Sequence, residues 1–180
     1  AMGRAMDDVI IAAATGTAST GETGSGSETA QTAIAASVGT GTGLNITKLR
    51  TAKQLLDLAS VDPSIPRHII CGPEQITNLL GTTEVTSSDF NTVKALVNGE
   101  VDTFLGFKFT TSTRLAKTGN DRTVIAFAQD GITLGIGKDV NARIDERADK
   151  SYATQVYYCM SIGATRMEKA KVVPITCTEA

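Results

Sequence analysis

A chain of 180 residues with 41% hydrophobic and 20% charged content has enough apolar material for one domain or two small lobes, burying roughly 70% of its unfolded surface. A net charge of −2 gives no chain-wide basic field for nucleic acid, no apolar run approaches the ~20 residues of a membrane span, and Ala1-Met2-Gly3-Arg4 lacks the basic-then-apolar order of a signal peptide. Three cysteines, Cys71, Cys159 and Cys177, occur without a CxxC spacing and fit free thiols in a reducing cytoplasm better than a disulfide framework.

Residues 1–14 read as a helix: Ala1, Ala5, Val9, Ala12 and Ala13 recur at helical spacing, beside Met2, Met6 and Ile10. No capping residue precedes them, so the helix reads as cut from a longer one. Residues 15–43 are rich in Gly, Thr, Ser and Ala and hold no aromatic. They predict a long, flexible surface loop with a weak strand over 33–38. Thr47 to Ala59 predicts a helix capped by Thr47, with Leu49, Ala52, Leu55, Leu56 and Ala59 facing inward and Lys48, Arg50 and Lys53 outside. Pro63 and Pro66 end it. Arg67 to Cys71 reads as a buried strand, Gly72 as a turn, and Pro73 as the first position of a helix that Gly81 stops.

A further helix is predicted from Ser88 through Phe90, Val93, Leu96 and Val97 to Asn98-Gly99. From Val101 the period becomes two, with Phe107 and Phe109 alternating with Lys108 and Thr110. Thr123–Ala128 and Ile132–Ile136 flank Asp130-Gly131, which reads as a hairpin. Tyr152 to Ile162 alternates again, and Val172 to Cys177 is an edge or terminal strand because it contains Pro174. All five phenylalanines and three tyrosines lie between Phe90 and Tyr158. The core of the sheet-rich half is therefore expected to contain Phe104, Phe107, Phe109, Phe127 and Leu134. Helices in the middle followed by strands indicate an α+β fold.

The chemistry-bearing residues are few. His68 is the single histidine, so one chain cannot supply a two-histidine metal site. In a strand, His68 and Cys71 point to opposite faces. Gly39-Thr40-Gly41-Thr42-Gly43 and Gly135-Ile136-Gly137-Lys138 lack the spacing of a phosphate or dinucleotide loop, and the second reads as a strand end. The most polar stretch holds Lys138, Asp139, Arg143, Asp145, Glu146, Arg147, Asp149 and Lys150. It reads as a solvated loop, as salt bridges between subunits, or, through Asp145 and Asp149, as an acid–base pair. The candidate subunit interface is Arg143, Asp145, Glu146, Arg147, Asp149 and Lys150. No catalytic residue, cofactor site or metal site is assigned.

The order of several pieces resembles the C-terminal portion of major capsid proteins of tailed bacteriophages. They are the helix-then-turn Phe90 to Glu100, Phe104-Leu105-Gly106-Phe107-Lys108-Phe109, the Thr123–Ile136 hairpin, Asp145-Glu146-Arg147, Lys150 to Val156, and Met160-Ser161-Ile162-Gly163-Ala164-Thr165-Arg166. Upstream, residues 3–16 resemble the end of the family's long spine helix, and Arg67 to Gln75 its axial strand-to-helix junction.

The resemblance implies a fold with axial and peripheral domains, shared with encapsulins and the floor of herpesvirus capsids. The N-terminal arm, the extended loop and the start of the spine helix would be missing. It divides the chain into the spine-helix end and Gly/Thr/Ser loop (1–43, peripheral), a mainly axial-type α+β domain (44–136), and peripheral-type long strands with the C-terminus (137–180). It implies a structural subunit, not an enzyme, that assembles with itself into hexamers and pentamers around DNA. The DNA would lie on the inner face without sequence specificity, and a scaffold or protease would be a further partner. It implies no membrane role and a location in the virion capsid, assembled in the bacterial host cytoplasm. The alternatives are an encapsulin-like compartment shell and, further off, a small ligand-binding domain.

Overall fold

The structure, a computed structural model, describes residues 2–39, 41–81 and 103–179. The helix expected from Ser88 lies outside these residues. An α+β architecture is formed around a six-stranded sheet in the order β10-β7-β3-β5-β4, with β6 pairing β7. β3 (Arg67–Cys71) runs parallel to β5 (Phe107–Thr111) and antiparallel to β7 (Asp121–Ala128). β4 (Thr103–Phe104) turns into β5 through Leu105 and Gly106, both with positive φ. β6 is Lys117–Thr118, and β10 (Val172–Thr178) lies antiparallel along the outer side of β7.

The alternation of each strand sorts side chains to two faces. One face carries Ile69, Cys71, Phe107, Val124, Ala126, Val173 and Ile175, packed on Leu49, Ala52 and Leu56 of α2 (Ile46–Leu58) and Leu79 of α3 (Pro73–Leu80). The opposite face presents Ile125 and Val172 to Ile11 and Ala14 of α1 (Met2–Thr15). Phe104, Phe107 and Phe109 are buried as expected, whereas Phe127 and Leu134 are half-buried. Phe127 faces the thinner side, where it stacks on His68 with ring centroids 5.6 Å apart. Leu134 sits on a projecting strand.

Local chemistry corrects two readings around α2. Its cap is Asn45, not Thr47: Asn45 Oδ1 accepts from the Lys48 backbone N–H at 2.9 Å, and Nδ2 donates to the Val38 carbonyl at 2.9 Å. One amide thus caps the helix and closes the loop before it. Lys48 is not outside but fully buried. Its ammonium donates to the carbonyls of Thr42 (2.8 Å), Gly43 (2.7 Å) and Thr176 (3.1 Å). The glycine-rich stretch therefore aims carbonyls at a resident cation, the opposite polarity from a phosphate loop, whose N–H groups converge. Gly39, at φ +84°, is needed here because a Cβ would meet the Asn45 side chain.

β10 shares this core and is a strand of the six-stranded sheet. Pro174 is tolerated because the even residues of β10 face outward: the Pro174 carbonyl accepts from Ile34 N–H and Thr176 N–H donates to the Ile34 carbonyl, each at 2.9 Å. The missing N–H of Pro174 is therefore on the side away from β7. The weak strand expected over 33–38 is reduced to this bridge at Ile34.

Glu179 fastens the end of the chain. Its buried carboxylate accepts from Arg122, from Lys117 Nζ at 2.6 Å and from Gln75 Nε2 at 3.0 Å. The Arg122 guanidinium first, then Lys117 and Gln75, hold its pKa down to about 2, below the ordinary 4.5. A folded-state pKa below the unfolded one gives stability that is complete above the ordinary carboxylate range and lost as the pH falls toward about 2. Urea midpoints measured from pH 6 to pH 2 should fall through that window. Glu179→Gln should flatten the fall; an unchanged slope would show that other carboxylates set it.

The Asp130-Gly131 signal marks a change of sheet, not a hairpin. Thr123–Ala128 belongs to the six-stranded sheet, whereas β8 (Ile132–Arg147) pairs only with β9 (Ala153–Arg166) among the described residues. The chain leaves the body through a 3-10 turn, Gln129–Gly131, and returns through another, Lys169–Lys171. Lys171 Nζ pairs with Asp130 at 2.7 Å, and Met167 N–H donates to the Gly131 carbonyl at 2.9 Å. Gly131 allows the two crossings to touch, since a Cβ there would lie 3.0 Å from that of Lys171.

Candidate interaction surface

β8 and β9 form a two-stranded antiparallel ribbon. At ~3.3 Å per residue, the 14 residues of β9 span roughly 46 Å. Its base is held by Arg166, buried, whose guanidinium donates to the carbonyls of Ala14 (3.1 Å), Gly16 (2.7 Å) and Glu28 (2.8 Å). One cation thus ties the C-terminal carbonyls of α1, which favour positive charge, to a small hairpin of β1 (Ala18–Thr20) and β2 (Gly26–Glu28). That hairpin occupies part of the stretch expected as a loop.

Beyond the base the ribbon stands in solvent. Two register irregularities, between Ile136 and Lys138 and between Lys138 and Asn141, put extra residues into β8. The Gly135–Lys138 stretch is therefore a bulged stretch inside a strand and not its end. At the tip, Ala148–Lys150 makes a 3-10 turn, and Ser151 and Tyr152 both have positive φ, 53° and 59°.

The register separates two faces. Arg143 lies opposite Tyr157, Asp145 opposite Gln155, and Arg147 opposite Ala153. The other face pairs Ala142 with Tyr158, Ile144 with Val156, and Glu146 with Thr154. Near the base, Ile132 of this second face packs against the cluster that includes Ile11 and Ala14 of α1. Farther out on this face, Ile144 is 70% exposed, and Val156 and Tyr158 are each more than half exposed, while Tyr157, also more than half exposed, lies on the opposite face beside Arg143. A contiguous exposed apolar stripe on a monomer marks a surface that another molecule covers.

All six residues of the charged segment are brought to the outer part of this ribbon, and all are exposed. Arg147 pairs with Asp149 of its own tip, Nε to Oδ1 at 2.9 Å. Among the described residues, Arg143, Asp145, Glu146 and Lys150 have no ionic partner within the chain. Asp145, on a strand, and Asp149, in the turn and held by Arg147, are not brought together as an acid–base pair. The sequence reading located the charges but missed the apolar residues beside them as surface. The signal available was an alternating apolar strand that follows directly on a dense charge run.

Elsewhere the side chains are committed to the fold. Burial pushes the Cys71 and Cys177 thiols up to about 12 and about 11, which leaves them protonated and unreactive. His68 is held below its ordinary pKa by burial and by Lys108. Among the described residues, no three His, Cys, Asp or Glu side chains gather to hold a metal ion. A cavity of about 580 Å³ lies between the end of α2 and the β4–β5 turn, lined by Asp57, Val61, Pro66, Arg67 and Leu105 among others. The Arg67–Asp57 ion pair, at 2.6 Å, forms part of its wall.

A family model described as phage capsid protein matches residues 1–179. Among solved structures, the capsid of cyanophage Pam1 is similar at TM-score 0.71 and 14% identity over 98% of this chain and 66% of that one. The capsid of Ralstonia phage GP4 is similar at TM-score 0.70 and 8% identity, over 98% and 64%. The capsid of cyanophage P-SCSP1u is similar at TM-score 0.66 and 18% identity, over 99% and 64%. The chain thus spans less than two thirds of the length of these capsid chains. No curated protein matches it.

Proposed function

Because the chain belongs to the phage capsid protein family, we propose that it is the shell-forming part of a major capsid protein, and that its ribbon makes contacts between subunits. The carrying observation is the ribbon itself: a two-stranded sheet is marginal alone in water, yet this one projects with an apolar face and with Arg143, Asp145, Glu146 and Lys150 unpaired in solvent. In this reading α2, α3 and the six-stranded sheet form the axial-type domain, and α1 with the ribbon forms the peripheral-type domain. The subunits assemble as hexamers and pentamers in a virion shell built in the host cytoplasm, with DNA inside and with a scaffold or protease as assembly partners. Its role is structural and not enzymatic. The likeness to phage capsids favours a DNA-enclosing shell over an encapsulin-like compartment.

Three basic and three acidic residues over 143–150 cancel, so the tip attracts a copy of itself without a net field, and opposed like charges penalise wrong registers. Arg143 and Lys150 are the informative positions, because reversing Arg147 would also break its bond to Asp149. Arg143→Glu with Lys150→Glu, in the full gene product, should leave the circular dichroism spectrum unchanged. Shell yield in sedimentation should drop about ten-fold or more, equivalent to ~1.4 kcal/mol. Adding Asp145→Lys and Glu146→Lys should restore it. Normal shells from the first variant would sink the assignment of these charges.

A further inference from the structure

β8 departs from regular pairing twice, between Ile136 and Lys138 and between Lys138 and Asn141, and both times the extra residue is on β8 and not on β9. A bulge re-aims the side chains around it. Here it leaves a hollow of about 280 Å³, lined by Lys138, Asn141 and Arg143 from β8 and by Tyr157 and Cys159 from β9. Arg143 lies opposite Tyr157 and Asn141 opposite Cys159, so the outer wall is paired strand and not loose loop.

The lining is rich in donors and free of acids. Arg143 offers a planar fork that fits phosphate oxygens two at a time, Lys138 a compact ammonium, Asn141 an amide and Tyr157 a hydroxyl. No carboxylate lines the hollow. Asp139, inside the bulge, accepts from the Val140 N–H at 2.7 Å, and Asp145 stands outside the lining. Among the described residues, neither Lys138 nor Arg143 forms an ion pair within the chain. Two like charges facing one hollow repel each other, and an anion between them turns that repulsion into attraction. A carboxylate brings one charge in one plane. A phosphate group brings about −1.5 to −2 near neutral pH, with oxygens in three dimensions, which matches two cations, an amide and a hydroxyl drawn from two strands.

We propose that this hollow is a binding site for a phosphate oxyanion, held by Arg143 and Lys138 and oriented by Asn141 and Tyr157. The inference stands apart from the shell-subunit reading, because it concerns one ribbon and is tested in unassembled subunits. The sequence Gly135-Ile136-Gly137-Lys138 lacks phosphate-loop spacing; the site is instead built from side chains that a bulge brings together.

Cys159 is a built-in reporter. It is half-buried in the lining, whereas Cys71 and Cys177 are fully buried. Alkylation of Cys159 by iodoacetamide, read on its own peptide by mass spectrometry, should slow along a saturating curve as inorganic phosphate is added. At ten times the midpoint concentration the rate should be roughly ten-fold lower, since only the empty site reacts. Chloride at matched ionic strength and acetate should protect far less. Lys138→Gln with Arg143→Gln should abolish the protection while leaving the circular dichroism spectrum unchanged. Should that variant not fold, the parent decides alone: without phosphate, the anionic reagent iodoacetate should gain on neutral iodoacetamide at Cys159, and added phosphate should remove the gain. A short DNA duplex distinguishes the source of the phosphate. Protection by the duplex at fewer phosphate equivalents than the free ion assigns the site to a nucleic-acid backbone, and protection by the free ion alone assigns it to a small anion. Equal protection by acetate, none by either phosphate source, or full protection in the double variant would overturn the proposal.

Discussion

Phe107→Ala is expected to destabilise the folded chain by about 3–5 kcal/mol, the range for a large aromatic removed from a closed core. Phe107 has 0% exposure and lies in the central cluster with Leu49, Leu56 and Ile69. β5 is held on one side by β3 and tied on the other to β4 by a two-residue turn, so neither strand can easily close the hole. Phe127→Ala is the control. Phe127 is only half-buried and packs on the His68 ring, so its removal should cost clearly less. Urea denaturation followed by circular dichroism reads both. A Phe107 variant no less stable than the Phe127 variant would mean that the faces of the sheet have been assigned the wrong way round.

Lys48→Met is expected to lower stability by about 3 kcal/mol. Methionine fills nearly the same space, so the effect isolates the polar term. The carbonyls of Thr42, Gly43 and Thr176 lose a shared donor, and each dry acceptor costs about 1–3 kcal/mol. Part of this is offset, because burial makes the ammonium itself costly, as its pKa, lowered chiefly by desolvation, indicates. Thr176 stands 128 positions from Lys48, so the loss should also loosen the C-terminal strand. The check is a denaturation midpoint together with amide exchange at Thr176 and Thr178. A variant as stable as the parent would show that water enters and satisfies the three carbonyls.

These two residues also show what the sequence could and could not reveal. Phe107 was legible, because strand alternation with Phe109 states which face is inward, and the structure buries both. The α+β class, α2, α3 and the outward edge at Pro174 were legible for the same reason, since each follows from local period, cap or breaker. Lys48 was not legible. Its position on the helix reads as solvent-facing until a loop and a distant strand supply carbonyls. Asp130-Gly131 failed in the same way: the dipeptide states a tight turn, but which strands flank it as partners is decided by β10, more than 40 residues later in the register with Phe127. The charged segment was found as a segment. That it rides on a projecting ribbon with an apolar reverse side depends on long-range pairing, and composition carries no trace of it.

The neck between Gln129–Gly131 and Lys169–Lys171 has a consequence for how the molecule can vary. β7 and β10 are antiparallel neighbours from Phe127 and Val172 onward, so they would form an ordinary hairpin if the residues between them were cut to a tight turn. The ribbon is in effect a very long excursion within that hairpin. Its length is thus a free dimension of the fold: removing two residues from each strand would draw the tip in by roughly 7 Å and leave the β7–β10 register untouched. Reach toward a neighbour can be tuned by insertion and deletion alone, while the six-stranded sheet stays fixed.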